Sequence, residues 1–444
     1  MDIETNNIAS TREIEEGGVS AKEAITEAKR CLNCKNPSCR KGCPIENDIP
    51  GFIHQLSMGN MGEAMSIINE RSNLPAICGR VCPHEKQCQG HCILYPRGKG
   101  IQIGKLERFI ADFDTDMNLL REKLPQKTRG KVAVIGSGPA GLTVAGDLAR
   151  QGFSVTIFEG QEEAGGVLMY GIPDYRLPKD VVRKEIAKIE ALGVNFILKC
   201  LVGKDITIDQ IFDQGFDAIF IGTGTALPKA LDVPGSHLKG IMASTYLLYM
   251  AHIYSEGNID REAVPLQPGD RVGIIGGGNV AMDAAGTAVR MGASEVYVLY
   301  HRTEADMPAI RSEYEEAVKK GVKFMWNTSA IEFIGNAEGS LAEVRLKTDE
   351  GEKLMPFDRI CFAIGSRPAN RIVSTTKGID VDESGYVIVK DRPFGMTTRR
   401  GVFAGGDVVH HPQTVVLAMK DAKQVAAGIA QYVDAVKLLD DCKE

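Results

Sequence analysis

The sequence contains no run of about 18 or more uninterrupted apolar residues, so no membrane-spanning helix is expected. Its amino-terminal stretch, MDIETNNIASTREIEEGG, is polar and acidic and lacks the apolar centre of a secretory leader; a cytoplasmic location is expected. Positive charge is not in excess either. Lysine and arginine number 52 against 58 aspartates and glutamates, a formal net charge of −6, which offers no electrostatic footprint for nucleic acid or an anionic membrane surface. Nor is there a bias toward disorder: 43% of residues are hydrophobic and 25% charged, as in ordinary globular chains. With 444 residues there is room for about three domains of roughly 150 residues each.

Glycine and cysteine are what the chain has in quantity. Its 48 glycines exceed the usual ~7% share without a collagen period, which fits a backbone that approaches ligands closely in several tight turns. Of 11 cysteines, eight (Cys31, Cys34, Cys39, Cys43, Cys78, Cys82, Cys88 and Cys92) fall in the first hundred residues, while Cys200, Cys361 and Cys442 are isolated. In a long chain without a leader, such clustering reads as metal or cluster ligation rather than a disulfide framework.

Ser20-Ala21-Lys22-Glu23 has the form of a capping box and starts a helix running toward Cys31. Residues 31–49 read as a loop, Pro50–Met58 and Gly62–Asn69 as short helices, 78–100 as a second cysteine loop, and Leu106, Phe109 and Ile110 as one face of a further helix. The charged segment Asp114–Gly130 reads as a linker. At Lys131 the texture changes: an apolar strand to Ile135, a glycine turn, a helix through Leu148, and a strand at Ser154–Glu159. The pattern recurs at Arg271–Ile275, Gly276–Gly278, Ala281–Met291 and Glu295–Tyr300, which predicts two nucleotide-binding sheets. After Pro368, a strand at Gly401–Asp407 and a helix at Leu417–Val433 have no glycine loop of their own and are expected to complete the first sheet.

The first turn reads Gly136-Ser137-Gly138-Pro139-Ala140-Gly141. Gly136 allows the tight turn, Gly138 lets the backbone approach a pyrophosphate, and Gly141 lets helix pack on strand, with phosphates held by N–H groups at the helix start. Glu159, about 20 residues on, is placed to accept from an adenosine ribose. The second turn reads Gly276-Gly277-Gly278-Asn279-Val280-Ala281, and its second strand ends in His301-Arg302 with no carboxylate. An acid there would repel a ribose 2′-phosphate, whereas Arg302 would pair with it, which favours NADPH over NADH; Arg311 and Lys319 read as helix-face charges. Phe220–Gly224 and Gly401–Asp407 suit a flavin, with small residues at Gly224 and Gly406 and a ribityl-binding carboxylate at Asp407. Helix-opening N–H groups near Thr414, Val415 and Val416 are candidates to stabilise a reduced, anionic flavin. No CxxC or CxxxxC follows either glycine turn, so a redox disulfide beside the flavin is not expected.

Cys31-x2-Cys34-x4-Cys39-x3-Cys43-Pro44 departs modestly from the bacterial ferredoxin run, and Cys82-x5-Cys88-x3-Cys92 supplies three more thiolates. With Cys78 these suffice for two [4Fe–4S] clusters; four-thiolate zinc sites are the competing reading. Two nucleotide folds on one chain favour clusters, because a flavin passes single electrons to clusters and zinc is redox-silent.

The residues Glu27–Leu32 with Cys34, Gly42-Cys43-Pro44, Asn73-Leu74-Pro75, Cys78–Pro83 and Leu106–Phe109 resemble the small (beta) subunit of NADPH-dependent glutamate synthase. So do Gly165–Leu168 with Tyr170–Pro173 and Arg176–Pro178 on the flavin side, and Gly276–Asp283 with Met307–Ala309 on the NADPH side. The same module occurs in the large subunit of NADH-dependent ferredoxin:NADP oxidoreductase and in the amino-terminal part of dihydropyrimidine dehydrogenase. The resemblance implies an α/β chain of two Rossmann-like domains, the second inserted in the first, preceded by a helical domain with two [4Fe–4S] clusters. Its expected boundaries are 1–125 for the iron–sulfur domain, 130–266 plus 367–440 for FAD, and 267–366 for NADPH. It further implies that Gly165 and Gly166 lie at FAD, that one cluster takes Cys31, Cys34, Cys39 and Cys92, and that the other takes Cys43, Cys82, Cys88 and Glu107. From spacing alone Cys78 serves equally as the eighth ligand, and Glu107 reads as a helix-face carboxylate. By the same resemblance NADPH reduces FAD and electrons leave singly through the clusters to a second redox subunit in a hetero-oligomer, with no residue singled out as catalytic.

The sequence opens Met-Asp and leaves no length for a glutamine-hydrolysing or FMN-barrel domain, so the acceptor is expected on another chain. That is the large glutamate synthase subunit or a flavin/[2Fe–2S] subunit of a bifurcating transhydrogenase, a branch that Ser374–Gly378 resembles. A dihydropyrimidine dehydrogenase subunit, a stand-alone NADPH:acceptor or sulfide-type reductase, and a zinc-bearing scaffold are the alternatives.

Overall fold

The structure, a computed structural model, describes residues 18–117 and 124–441; nearly all of the amino-terminal stretch quoted above, part of the segment 114–130 and Cys442 lie outside them. The chain divides into two compact units. One comprises Tyr170–Asp174 and Pro228–Ser366; the other holds the amino-terminal helices up to Met169, Tyr175–Leu227, and the chain from Arg367 onward.

In the larger unit the cysteine-rich part is helical. Ser20 caps the helix Ala21–Ala28 through the reciprocal bonds of a capping box with Glu23, as the sequence predicts. Helices Ile49–Ser57, Met61–Asn69, Pro75–Val81 and Ile103–Met117 follow. Their apolar stripes meet at Phe52, Leu56, Met65, Ile68 and Ile110, all fully buried, each contributing about 1.5–3 kcal/mol relative to exposure. Two expectations shift here. Cys78 lies within the helix Pro75–Val81 rather than in a loop, because Pro75 begins a helix at no hydrogen-bonding cost and Ile77 and Val81 bury one side of it. Asp114 is not linker but the last position of the buried stripe Leu106, Glu107, Ile110, Ala111, and Lys188 meets its charge at 3.5 Å.

The same unit contains a seven-stranded sheet. Gly130–Ile135 lies at its centre, paired in parallel with Phe153–Phe158 on one side and Ala218–Ile221 on the other. Val402–Ala404 adds in parallel to Ala218–Ile221, so the carboxy-terminal piece completes this sheet as expected. Central strands read as unbroken apolar runs because both faces are covered, in part by the helices Pro139–Arg150 and Val415–Asp441.

The smaller unit has a five-stranded parallel sheet in the order Ile241–Ala243, Arg359–Phe362, Arg271–Ile275, Glu295–Leu299, Lys323–Met325. Residues 228–266, expected with the FAD-binding sheet, instead go with this one. Ile241–Ala243 pairs with Arg359–Phe362, and the helix Ser244–Ser255 that follows buries Leu247 in the core under these strands. An antiparallel meander, Ser329–Gly335, Leu341–Thr348 and Gly351–Pro356, was not anticipated. Its signal is the alternation of buried Val344, Leu346 and Met355 with exposed Glu343, Lys347 and Leu354. Among the described residues no helix is long and apolar enough to cross a membrane.

Candidate cofactor sites

In the first glycine turn, packing explains two of the three glycines. A Cβ on Gly141 would lie 1.9 Å from the Gly136 carbonyl oxygen, so only glycine lets helix Pro139–Arg150 close onto the strand. Gly136 has φ +93°, and a Cβ there would lie 2.8 Å from the Gly222 carbonyl oxygen. Gly138 is different: a Cβ would meet no protein atom within 4 Å. Nothing in the chain requires glycine at that position, as befits a backbone left bare for a ligand. Pro139 and Ala140 begin the helix and are buried.

Glu159 sits at the end of the neighbouring strand, 8% exposed. Its Oε2 accepts from the backbone N–H and the hydroxyl of Ser137 at 2.9 and 2.5 Å, and its Oε1 from Gln161 N–H at 2.9 Å. The Ser137 Oγ in turn accepts from Gly165 N–H at 2.9 Å. One serine thus ties the fingerprint, the acidic residue and the Gly165–Gly166 turn together, and its only signal in the sequence is a hydroxyl inside a glycine turn. A Cβ on Gly166 would lie 3.0 Å from Gly138 Cα, and one on Gly406 2.9 Å from the Ala140 Cβ, so both stretches reach the fingerprint. Gly224, at φ +61°, has open space on its Cβ side.

Burial pushes the carboxyl of Asp407 up to about 6. Asp421, also unanticipated, holds this turn by accepting from Gly406 N–H at 2.6 Å. Thr414 precedes the helix Val415–Asp441; its buried hydroxyl oxygen has no hydrogen-bond partner, and the first N–H groups of the helix have none within it. An orphaned hydroxyl, free helix-start donors and a bare glycine cradle are what a dinucleotide needs, so these residues fit FAD.

The second turn repeats the logic. Gly276 has φ +135°, and a Cβ would lie 2.6 Å from the Ala363 carbonyl oxygen, while Gly278 faces open space. The Asn279 Oδ1 accepts from Ile310 N–H at 2.9 Å, and the Gly277 carbonyl from Ala309 N–H, which fixes the Met307–Ala309 segment against the turn. Ala281 is buried and Val280 is 42% exposed. Arg302 is exposed just past the strand Glu295–Leu299. Arg311 is held by Glu304 at 2.7 Å and Glu315 at 3.0 Å, a helix-face charge as the sequence suggests.

The eight amino-terminal cysteines are free thiols, and their neighbours divide them into two groups. Cys31, Cys34, Cys39 and Cys92 line one cavity. Burial, and then the neighbouring thiols Cys31, Cys92 and Cys34, push Cys39 up to about 11. Burial likewise lifts Cys43 to about 11, with Glu107 and Cys78 adding to it. Cys88 is raised by burial, then by Glu107, Cys43 and Cys39. Cys82 is raised by a hydrogen bond with Cys78 and by burial, and Glu107 and Cys88 add to it. Glu107 itself is pushed up to about 8 by burial and then by Glu185. Buried thiolates and a buried carboxylate are costly unless cations hold them ionised.

Spacing argues which cations. Four thiolates on one zinc at about 2.3 Å stand roughly 3.8 Å apart. Among the described residues no three of these thiols lie within 4.8 Å of one another. Thiols spaced more widely than one zinc would hold them fit iron–sulfur clusters better than zinc.

Comparison with known proteins agrees with this division. Residues 7–119 match the family of dihydropyrimidine dehydrogenase domain II, 4Fe-4S cluster, and residues 130–422 match pyridine nucleotide-disulphide oxidoreductase. The chain is 35% identical to the glutamate synthase [NADPH] small chain of Halomonas elongata, over 93% of this chain and 91% of that protein. It is 34% identical to the NAD-dependent dihydropyrimidine dehydrogenase subunit PreT of Escherichia coli O157:H7, over 93% and 94%. Its fold is that of Mycobacterium tuberculosis FprA, solved in complex with NADPH, with a TM-score of 0.58 at 17% identity over 71% of this chain and 87% of that one. FAD, a pyridine nucleotide and 4Fe–4S iron–sulfur are the cofactors of these families, and the chain is an oxidoreductase that uses them. It belongs to the pyridine nucleotide-disulphide oxidoreductases, in the family of the glutamate synthase small chains.

Proposed function

We propose that this chain is the electron-input subunit of a larger enzyme, most closely the small chain of glutamate synthase, taking electrons from NADPH and delivering them to a partner chain. The observation that carries the reading is the placement of two thiol groups in the same unit as the FAD cradle. Met419, one turn into the helix Val415–Asp441, lies with its sulfur 3.6 Å from the Cys78 thiol, and Cys78 neighbours Cys82. Cys88 of that second group is close enough to Cys39 of the first for their charges to interact. The first group borders the surface, where Leu32 and Ile93 at the cavity rim are 61% and 64% exposed. Read in order, these residues support a route from flavin cradle to second cluster to first cluster to exterior.

When bound, FAD supplies hydride acceptance from NADPH, and the clusters carry electrons onward one at a time. Around them, the chain's own residues bind and orient. Gly136, Gly138 and Gly141 with Pro139 and Ala140 would hold the FAD pyrophosphate, Glu159 its ribose, and Asp407 its ribityl chain. The N–H groups of Thr414, Val415 and Val416 would face the isoalloxazine and favour negative charge there. Gly276, Gly278, Asn279 and Val280 would hold the second dinucleotide. Cys31, Cys34, Cys39 and Cys92 would ligate one cluster, and Cys43, Cys82, Cys88 and Glu107 the other.

Arg302 provides the choice of nucleotide. An arginine–phosphate pair contributes about 1.5–3 kcal/mol, so Arg302→Ala is expected to lower kcat/KM for NADPH by roughly 10- to 100-fold and leave NADH nearly unchanged. Steady-state reduction of a soluble dye by each nucleotide measures this; an equal effect on both would remove Arg302 from the phosphate site.

The partner is sought directly. The chain is recovered anaerobically from its own cells, and its companions are identified by mass spectrometry. A large companion whose mature chain begins with cysteine supports the glutamate synthase reading. In the sequence, Lys29, Arg30, Lys35, Arg40 and Lys41 flank Cys31, Cys34 and Cys39; Glu27 meets Arg30 at 2.6 Å and Asp48 lies 3.8 Å from Arg40, and the excess of positive charge that remains leads to the expectation that the complex loosens with salt. A small companion with a plant-ferredoxin-like cysteine set would make the chain half of a transhydrogenase. Absence of any companion, with fast turnover of soluble acceptors, would overturn the subunit assignment.

A further inference from the structure

We propose that Asp174, His252 and Glu256 form a binding site for a divalent transition-metal cation of the zinc type, built from residues assigned neither to the nucleotides nor to the clusters. One ligand atom from each lies within 4.8 Å of the other two. His252 and Glu256 are four residues apart at the end of helix Ser244–Ser255, which puts both side chains on one helix face. Asp174 comes from the segment Tyr170–Asp174 of the same unit.

What separates this trio from an ordinary acidic surface group is the histidine. His252 is only 6% exposed, and its Nδ1 has no hydrogen-bond partner. That nitrogen faces the Asp174 Oδ1 at 3.7 Å. The gap exceeds the ~2.7–3.2 Å of a hydrogen bond. It is close to the roughly 3.4 Å that separates two ligands bound tetrahedrally to one zinc at about 2.0–2.2 Å.

The surroundings orient both groups. The Ser255 hydroxyl donates to Asp174 Oδ2 at 3.0 Å, which turns Oδ1 toward the imidazole. The ring of Tyr170 stands edge-on to the imidazole at 5.4 Å and is itself packed on Tyr249 at 5.5 Å, so the plane of His252 is set from the side. Such support of ligand orientation is typical of metal centres. One imidazole and two carboxylates suit zinc or a similar borderline cation; magnesium and calcium prefer oxygen alone. Glu256 is exposed, so solvent has access to the remaining coordination position. A cation here would cross-link the segment Tyr170–Asp174 to the end of the helix.

The test uses the cluster-loaded, flavin-loaded protein, purified anaerobically and freed of loose metal with a mild chelator. Titration with zinc ion in a calorimeter is expected to show about one equivalent bound, and zinc-edge X-ray absorption a first shell of nitrogen and oxygen near 2.0–2.1 Å with no sulfur near 2.3 Å. His252→Asn should abolish this binding. Glu256→Gln changes an exposed residue and leaves the fold intact by circular dichroism; it should weaken binding at least tenfold and remove the zinc-induced rise in Tm. Sulfur in the first shell would mean that zinc reports only displaced cluster cysteines and would overturn the site. So would undiminished affinity in Glu256→Gln, or no zinc binding at all, which would leave Asp174 and His252 as a simple ion pair.

Discussion

Glu107→Ala is expected to yield a protein with about four iron atoms per chain in place of about eight, and with one of its two sets of reduced-cluster signals missing from the electron paramagnetic resonance spectrum. The glutamate is buried, and it adds to the raised pKa of each of the three thiols Cys43, Cys82 and Cys88. Cys78 adds to those of Cys43 and Cys82 only, and it is held by other neighbours: the Ser72 hydroxyl at 4.0 Å and the Met419 sulfur at 3.6 Å. Cys78→Ser is therefore expected to keep all its iron. Reduction of the physiological partner should fall more than a hundredfold in Glu107→Ala, because the relay is cut. NADPH oxidation with a soluble dye should persist, because the nucleotide sites are untouched. The opposite outcome, full iron in Glu107→Ala and half in Cys78→Ser, would make Cys78 the eighth ligand.

The second large effect concerns the first glycine turn. Gly141→Val places a side chain 1.9 Å from the Gly136 carbonyl oxygen, with Val134 Cγ1 at 3.2 Å on its other side. No rotamer relieves a clash made by Cβ itself, so the helix must lift off the central strand, at a cost of about 3 kcal/mol or more. The expected result is protein that fails to fold, or that folds without flavin and melts several degrees lower. Gly138→Ala isolates binding from folding. Its Cβ meets no protein atom within 4 Å, so Tm of the FAD-free form should stay within a degree or two while FAD affinity drops roughly 10- to 100-fold. Unchanged flavin affinity in Gly138→Ala would reduce the fingerprint to a structural turn. Flavin absorbance after gel filtration, read beside the melting curve, distinguishes the cases.

What the sequence disclosed depended on how local the information was. The capping box at Ser20 and the strand–glycine–helix units at Gly136 and Gly276 are specified within a dozen residues, and the structure shows them where the pattern predicts. Completion of the first sheet by Val402–Ala404 followed from elimination, since that piece has no glycine loop of its own. Non-local features were less legible. That 228–266 joins the smaller unit depends on Ile241–Ala243 meeting Arg359–Phe362, a pairing that spacing cannot announce. The meander after Ser329 was hidden because its short alternating strands were read as part of a nucleotide domain. Asp114 looked like linker because a buried carboxylate is unexpected until Lys188 arrives from another helix. The roles of Ser137 and Asp421 are hydrogen bonds made at a distance, and composition carries no trace of those. Glu107 shows the limit most plainly: a carboxylate on a helix has no motif of its own, and only resemblance to a family drew attention to it.

The helix Val415–Asp441 serves two neighbours at once. Its first residues border the cradle proposed for FAD, and Met419, four residues later, rests against Cys78 beside the second thiol group. Four residues of helix rise about 6 Å and are stiff along the axis. On the proposed route, the jump between flavin and cluster would be spanned by a strut rather than by loops, which breathing of the surface would not stretch. The donor–acceptor gap of that route, on which electron tunnelling depends steeply, would be built into the backbone as a fixed length.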